Sequence, residues 1–269
     1  MYYLGIDIGS LSCDAALIDG GSNIVASAVV PTGARNREAI ARATDEVLRV
    51  ARISRADITA VVSTGYGRDR VEGRLASVTE ITCHARGIHA LLPGTRLLID
   101  IGGQDSKAIL LGKEGNVVDF AMNDKCAAGT GRFLEAMARA LQVDIDDMAD
   151  MDAGAEGKQS ISSMCTVFAE SEVVSLIADG APVNEIVMGL NRAIAARILS
   201  LVKRTTLQYP DLKIAMSGGV ARNSGVVRAI SSLLESEVSV PGNPDTVGAL
   251  GAAMIAKEKN VSRRPAATV

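Results

Sequence analysis

The pattern of apolar and polar positions predicts a set of short strands that occurs twice along the chain. Residues 4–10 read Leu-Gly-Ile-Asp-Ile-Gly-Ser, and residues 97–103 read Leu-Leu-Ile-Asp-Ile-Gly-Gly. The alignment continues without a gap, since residues 15–18 match 108–111 and residues 23–25 match 116–118. Apolar runs of this length, separated by glycine-bearing turns, predict three strands in each copy. We interpret the match as an internal duplication.

Helix-period and strand-like segments follow the two copies. Apolar positions within 39–51 share one helix face, and the apolar run at 58–63 predicts a buried strand. The later chain predicts helices at 131–142, 167–179, 183–206, 222–234 and 246–258, with a short strand at 212–216. Strands and helices in this alternation predict an α/β fold.

The duplication also predicts how the chain divides into domains. Pro93-Gly94 marks the join between the halves. We expect a first half over 1–94 plus about 245–260 and a second half over 95–244. The end of the chain, 261–269, lacks periodicity and is predicted to be a loose tail. Two α/β halves suggest a cleft between them, where ligands commonly bind.

Composition and charge exclude several classes of function. The 269 residues include 28 Lys and Arg against 31 Asp and Glu, which gives a net charge of −3. Slight acidity, three Phe, four Tyr and no Trp argue against a nucleic-acid partner. No apolar run approaches the ~18–20 residues of a membrane span, and the N-terminus has no basic leader. We therefore expect a cytoplasmic protein without a membrane partner.

The four cysteines, Cys13, Cys83, Cys126 and Cys165, admit several interpretations. An even number allows two disulfides, although a cytoplasmic chain of this size neither needs nor easily keeps them. Four is also the ligand count of a zinc or iron–sulfur site, but no Cys-x-x-Cys pair is present.

Two Asp-x-Gly turns, one in each copy, have the composition of phosphate-binding loops. Glycine lets backbone N–H groups approach an anion, and the carboxylates of Asp7 and Asp100 can hold a hydrated Mg²⁺. The residues predicted to contact phosphate directly are Gly9, Ser10, Ser12, Gly102, Gly103 and Gln104. Each turn taken alone is also compatible with an ordinary hairpin. Their pairing at the duplication offset strengthens the phosphate-binding interpretation.

A third glycine turn follows the strand predicted at 212–216. It reads Ser-Gly-Gly-Val-Ala-Arg-Asn and leads into a helix, so an adenosine could approach its backbone. The residues predicted to contact the nucleotide here are Gly218, Gly219, Val220 and Asn223. A close-packed strand–helix corner is the alternative. Neither a Walker A sequence nor a Gly-x-Gly-x-x-Gly after the first strand is present.

In this order, the three turns resemble the phosphate-1, phosphate-2 and adenosine motifs of the superfamily that contains acetate kinase, sugar kinases, actin and the large heat-shock chaperones. The resemblance implies a duplicated ribonuclease-H-like fold. It also implies that ATP binds between two halves that close around it.

Cys126 and Cys165 each precede a predicted helix. A helix N-terminus favours the thiolate, which soft metals and iron–sulfur clusters require. One chain offers only two such thiols, but a two-fold dimer would supply the four ligands of a [4Fe–4S] cluster on its axis. The alternative is a pair of small buried apolar residues. Cys13 and Cys83 are predicted to serve packing only.

Longer strings around these cysteines and turns resemble one family. The strings lie at 64–68, 99–105, 123–135 and 165–173, and the likeness extends over about 2–258. They are similar to the activator component of 2-hydroxyacyl-CoA dehydratases. The wider family includes the ATPase subunits of benzoyl-CoA reductase and the reductases of double-cubane-cluster proteins. The resemblance implies a homodimer with one [4Fe–4S] cluster held by Cys126 and Cys165 of each subunit, and one ATP site per subunit.

One position departs from the family pattern, which commonly reads Ser-Thr-x-x-Lys after the first turn. Here Asp14 occupies the place of the lysine, and the duplication aligns Asp14 with Lys107. This departure puts a phosphate-binding role for 11–14 in doubt.

The function implied by the resemblance is an ATPase that passes a low-potential electron from ferredoxin or flavodoxin to a 2-hydroxyacyl-CoA dehydratase. Asp7 and Asp100 would position Mg²⁺, and Gln104 or Asp105 would orient the attacking water. A benzoyl-CoA reductase or a double-cubane protein is an alternative electron acceptor. A small-molecule kinase of the same superfamily and a non-catalytic ATP-binding scaffold are alternatives of different classes.

Overall fold

The computed structural model describes residues 1–162 and 165–263, and these fold into two compact units. Unit 1 contains Met1–Gly94, Leu111–Val117 and the chain from Asp245 onward. Unit 2 contains Thr95–Leu110 and Val118–Pro244. Among the described residues, no helix is both long and apolar enough to cross a membrane.

Unit 1 is built on a five-stranded sheet in the order β3-β2-β1-β4-β5. Its strands are β1 (Tyr2–Ile8), β2 (Ser12–Asp19), β3 (Ile24–Pro31), β4 (Ile58–Gly65) and β5 (Ala76–Ser77). Its helices are α1 (Asn36–Ala51), α2 (Glu80–Leu91) and α7 (Val247–Arg263). β1 pairs antiparallel with β2 and parallel with β4.

The sheet of unit 2 has the order β10-β9-β6-β7-β8. Its strands are β6 (Leu97–Ile101), β7 (Ser106–Leu111), β8 (Val117–Asn123), β9 (Ile214–Ser217) and β10 (Val238–Ser239). Its helices are α3 (Gly131–Leu141), α4 (Thr166–Ala178), α5 (Val183–Val202) and α6 (Ser224–Leu234).

The two sheets confirm the predicted duplication. Each sheet contains an antiparallel meander of three consecutive strands. On its other side, the first strand of the meander pairs with a parallel strand, and that strand pairs with a fifth. Even the register is preserved, because Asp7 lies opposite Asp14 in unit 1 and Asp100 lies opposite Lys107 in unit 2. The α/β ribonuclease-H-like class is therefore confirmed.

Both faces of the unit 1 sheet are covered, which explains why β1 and β2 are buried along nearly their whole length. Leu4 and Ile6 pack in a core with residues of α1, whereas Tyr3 packs in a second core with residues of α7. Gly5 lets α7 approach β1 closely, because a Cβ there would collide with the backbone of Ala249 and Ala253. A separate core fills unit 2.

Several elements differ from the sequence-based expectation, including the two-residue strands β5 and β10, which were not predicted, and α6, which begins at Ser224 rather than 222. α2 was not predicted, although Ile81, Ala85 and Ile88 are buried at helical spacing; it packs closely on α7 through Gly87, where a Cβ would collide with the backbone of Val247. α5 ends at Val202 rather than 206, where Thr205 donates to the Val202 carbonyl at 2.8 Å. α7 extends to Arg263, into the predicted tail, while 264–269 lie outside the described residues.

Candidate functional site

The turn between β6 and β7 has the backbone geometry of an anion-binding loop. Gly102 donates its N–H to the Asp105 carbonyl at 3.0 Å. A Cβ on Gly102 would lie 2.8 Å from Asp105 Oδ1, so the turn closes tightly around a small residue. Gly103 is half-buried and Gln104 is exposed. The glycine backbone and the Gln104 amide are therefore the parts of the turn that a ligand can reach.

The buried side chains of Asp100, Asp105 and Lys107 form a charge cluster at this turn. Lys107 Nζ lies 3.1 Å from Asp100 Oδ2 and 2.9 Å from Asp105 Oδ2, and all three side chains are buried. Ser217 donates its hydroxyl to Asp100 Oδ1 at 2.7 Å. These contacts fix both carboxylates in place. Because Asp105 is paired with Lys107, Gln104 is the better placed of the two residues predicted to orient water.

The third glycine turn lies beside the same cluster, where β9 pairs with β6. Gly218 is buried with φ of +84°, and a Cβ on it would collide with the Ile101 carbonyl. Gly219 is exposed and Val220 is buried. Only glycine fits at position 218, because the backbone there is left-handed and the neighbouring strand is in contact.

Asn223 caps α6 with one polar atom of its side chain, and the other polar atom has no hydrogen-bond partner among the described residues. Its Oδ1 accepts a hydrogen bond from the Val226 N–H at 3.0 Å. Its Nδ2 is buried and has no hydrogen-bond partner among the described residues. Because unpaired buried donors are rare in folded proteins, this amide is suited to donate to a ligand.

The equivalent turn of unit 1 has the same backbone arrangement. Gly9 donates its N–H to the Ser12 carbonyl at 2.9 Å and accepts from the Thr32 hydroxyl at 2.9 Å. Ser10 is half-buried. Asp7 is buried, and the backbone crowds both of its oxygens, since a Cβ at Gly65 or Gly248 would collide with one of them.

The charges of the two turns differ at two aligned positions, because Ser12 stands where unit 2 has Asp105 and Asp14 stands where it has Lys107. Where unit 2 has Lys107 opposite Asp100, unit 1 has Asp14 opposite Asp7. Burial, followed by the charge of Asp7, raises the pKa of Asp14 well above its usual value. Ser12 donates to Asp14 Oδ2 at 3.1 Å, but Oδ1 is buried without a hydrogen-bond partner among the described residues. The Ser12 hydroxyl is thus engaged by Asp14.

We predict that Asp14→Asn stabilises the protein at pH 7. Folding raises the pKa of Asp14, so ionisation of its carboxyl group favours the unfolded state. The resulting free-energy penalty on folding is absent below the unfolded pKa of about 3.9 and grows as the pH rises above that value. The free energy of unfolding, measured with urea at pH 7, is expected to rise by about 1–3 kcal/mol. The gain should shrink as the pH falls towards about 4. Asp119→Asn, at an exposed carboxylate, is the control, and a gain that is equal at both pH values would contradict the prediction.

The four cysteines fall into two classes. Cys13 and Cys83 are fully buried, and burial raises the pKa of each to about 12. Cys126 is half-buried in the loop between β8 and α3, and Cys165 is exposed at the N-cap of α4. Within the described part of one chain, no group of three or more His, Cys, Asp or Glu side chains is arranged to hold a metal. The accessible thiols are thus the two that precede helices.

Direct hydrogen bonds connect the phosphate turn to the Cys126 segment. The N–H groups of Gly131 and Arg132, at the start of α3, donate to the carbonyls of Gly102 and Gly103 at 2.9 Å each. A Cβ on Gly131 would lie 3.4 Å from the Gly102 carbonyl oxygen, so a small residue is required for this approach. Sequence reasoning missed the connection, and the run of small residues at 127–131 was the only signal for it.

Helix α4 carries large exposed apolar side chains, two of which lie in the turn directly after Cys165. They are Val167, Phe168, Val174 and Ile177, of which Phe168 is 68% exposed. Adjacent exposed apolar side chains of this size are typical of a surface that a protein partner covers.

Comparison with known proteins identifies relatives over nearly the whole chain. The model of the BadF/BadG/BcrA/BcrD ATPase family matches residues 4–256. The chain is 47% identical over 258 residues to the activator of lactoyl-CoA dehydratase from Anaerotignum propionicum, covering 96% of this chain and 98% of that protein.

Solved structures give the same result for the fold. The activator of the 2-hydroxyisocaproyl-CoA dehydratase from Clostridium difficile, solved with bound ADPNP, is 42% identical with a TM-score of 0.91, over 97% of this chain and 96% of that one. An ROK hexokinase from Thermus thermophilus is 18% identical with a TM-score of 0.53, over 97% of this chain and 100% of that one. The hexokinase likeness concerns the fold alone.

Proposed function

The chain belongs to the BadF/BadG/BcrA/BcrD ATPase family, and on that premise we propose that it is the ATP-driven electron donor of a 2-hydroxyacyl-CoA dehydratase. Relatives named as activators of such dehydratases support the choice of partner. The structure of a relative solved with ADPNP supports ATP as the nucleotide. In this proposal Cys126 and Cys165 of two subunits would hold one [4Fe–4S] cluster, and ferredoxin or flavodoxin would be the source of the electron.

The observation that carries the proposal is the pair of hydrogen bonds from Gly131 and Arg132 to the phosphate turn. Their acceptors are the carbonyls of Gly102 and Gly103, the residues proposed to bind phosphate. A shift of this turn on binding or hydrolysis of ATP moves the start of α3 with it. The loop that carries Cys126 ends where α3 begins, so nucleotide state and thiol position are coupled.

The proposed nucleotide site uses groups that the fold holds in place. The Asp100 carboxylate, fixed by Lys107 and Ser217, orients hydrated Mg²⁺, and Asp7 has the equivalent role in unit 1. The exposed Gln104 orients the attacking water. Backbone N–H groups at Gly9, Ser10, Gly102 and Gly103 bind phosphate, while Gly218, Gly219 and Val220 lie against the adenosine. Asn223 donates its free Nδ2 hydrogen to the nucleotide.

The proposed cluster site needs two copies of the chain. Cys126 and Cys165 are the accessible thiols, and two from each subunit give the four thiolates of a [4Fe–4S] cluster. Such a cluster supplies one-electron transfer when bound. Val167 and Phe168 are exposed directly after Cys165, so the two-fold contact that unites the thiols can also bury these two side chains.

An electron-transfer assay tests the function. The anaerobically purified, reduced protein is mixed with a 2-hydroxyacyl-CoA dehydratase, and oxidation of the reduced protein is followed by absorbance. We expect rapid oxidation with MgATP and at least about tenfold slower oxidation without nucleotide. Transfer at equal rates with and without ATP would contradict the proposal. Transfer only to a benzoyl-CoA reductase or a double-cubane protein would reassign the acceptor.

A further inference from the structure

A cavity of about 400 Å³ lies in unit 2, lined by Ser106, directly after the turn between β6 and β7, and by residues around the start of α3. Its polar lining consists of Arg197, Arg204, Ser106, Asn123, Ser162 and Ser200. No Asp or Glu is among its lining residues. The lining therefore carries two permanent positive charges, and one carboxylate outside it, that of Glu172, accepts hydrogen bonds from the N–H and the hydroxyl of Ser162. Its volume is within the range of ordinary small-molecule sites.

Both arginines are available to a ligand. Arg197 Nε is buried without a hydrogen-bond partner among the described residues. Within the described chain, neither Arg197 nor Arg204 forms a side-chain hydrogen bond or an ion pair. Leaving a buried guanidinium nitrogen unpaired costs free energy, and an anion in the cavity would remove that cost.

The remaining lining defines the chemical class of the ligand. Apolar side chains, Phe133, Ile161, Ile194 and Leu201, line the cavity beside the hydroxyl and amide groups. A planar guanidinium pairs well with carboxylate or phosphate, because two parallel N–H groups can meet two oxygens. We propose that this cavity binds a small organic molecule through its oxyanion group, a carboxylate or a phosphate, with a short apolar body against the apolar wall.

The occupant would touch both cysteine-bearing segments. Asn123 lines the cavity, and its Nδ2 also donates to the Cys126 carbonyl at 2.8 Å. A Cβ on Gly129 would lie 3.1 Å from Arg197 Cδ, so the Cys126 loop packs directly on this arginine. Ile161 and Ser162 lie shortly before Cys165. A bound oxyanion would restrain the Cys126 loop and slow the alkylation of its thiol in the cluster-free protein.

Calorimetric titration of the full-length protein tests the site. The probes are inorganic phosphate and butyrate, each added with the ATP analogue ADPNP in excess so that the nucleotide site, including the position of its γ-phosphate, is filled. At least one probe is expected to bind, and Arg197→Gln or Arg204→Gln should weaken it by about tenfold or more. Lys203→Gln, which removes the same charge from an exposed side chain outside the cavity, should leave the affinity unchanged.

The result of the titration either identifies the chemical class of the ligand or overturns the proposal. Binding of phosphate alone identifies a phosphorylated ligand, and binding of butyrate alone identifies a carboxylate. Binding of neither, or equal weakening by Lys203→Gln, would overturn the proposal. Unchanged ADP affinity in the Arg204→Gln protein shows that the variant is folded and that the nucleotide site is intact. Failure of this proposal is therefore distinguishable from failure of the proposed ATPase function.

Discussion

Replacing Cys126 by serine is expected to remove nearly all iron from the anaerobically purified protein while leaving nucleotide affinity unchanged. In the proposed dimer each subunit supplies two thiolates, so the change removes two of the four ligands at once. Serine does not ionise near neutral pH and is a poor ligand for iron in such a cluster. Iron content is expected to fall from about four atoms per dimer to below about one.

The matched control for this prediction is Cys13→Ala. Cys13 is fully buried on β2, and its raised pKa keeps the thiol protonated. This variant should retain its iron even if its stability decreases. Retention of iron in Cys126→Ser, or its loss from folded Cys13→Ala, would contradict the assignment. Circular dichroism establishes that both variants are folded.

Replacing Lys107 by methionine is expected to lower the free energy of unfolding by about 3–5 kcal/mol, the usual effect of removing one partner of a buried ion pair. Lys107 is the partner of both Asp100 and Asp105, and without it two buried carboxylates lose their neutralising charge. Urea denaturation at pH 7 measures the change. Lys113→Met, at an exposed lysine, should alter stability by less than about 0.5 kcal/mol.

A triple variant separates charge from packing in the same cluster. Lys107→Met combined with Asp100→Asn and Asp105→Asn leaves no buried charge at these positions, so much of the lost stability should return. A triple variant less stable than Lys107→Met alone would show that the carboxylates support the turn mainly through hydrogen bonds. An effect of Lys107→Met below about 1 kcal/mol would contradict the description of the cluster as a buried ion pair.

Most strands of both sheets could be predicted from the sequence because the duplication preserves local pattern and register together, but the two-residue strands β5 and β10 have too short a pattern to be recognised. The alignment of Asp14 with Lys107 is also a pairing of equivalent strand positions in the structure. α2 was not predicted although Ile81, Ala85 and Ile88 recur at helical spacing. Its close contact with α7 is made at Gly87, and no local sequence pattern specifies that long-range contact.

Long-range contacts at the candidate site could not be predicted from sequence spacing. The hydrogen bonds from Gly131 and Arg132 to the phosphate turn join residues nearly thirty positions apart through backbone atoms, which carry no side-chain signature. Arg197 lies on α5, far along the chain from Gly129, yet its side chain packs on that loop. Motif strings identified the cysteines and glycines, but the fold determines which of them are accessible and which are coupled.

The native mass of the anaerobically reconstituted protein tests the central claim most directly. We predict a dimer that carries one [4Fe–4S] cluster. Neither the Cys126→Ser nor the Cys165→Ser variant is expected to form this species. Because each chain provides two accessible thiols, the cluster and the dimer should be lost or retained together under mild conditions. A monomer, or a dimer without iron and sulfide after reconstitution, would contradict the account.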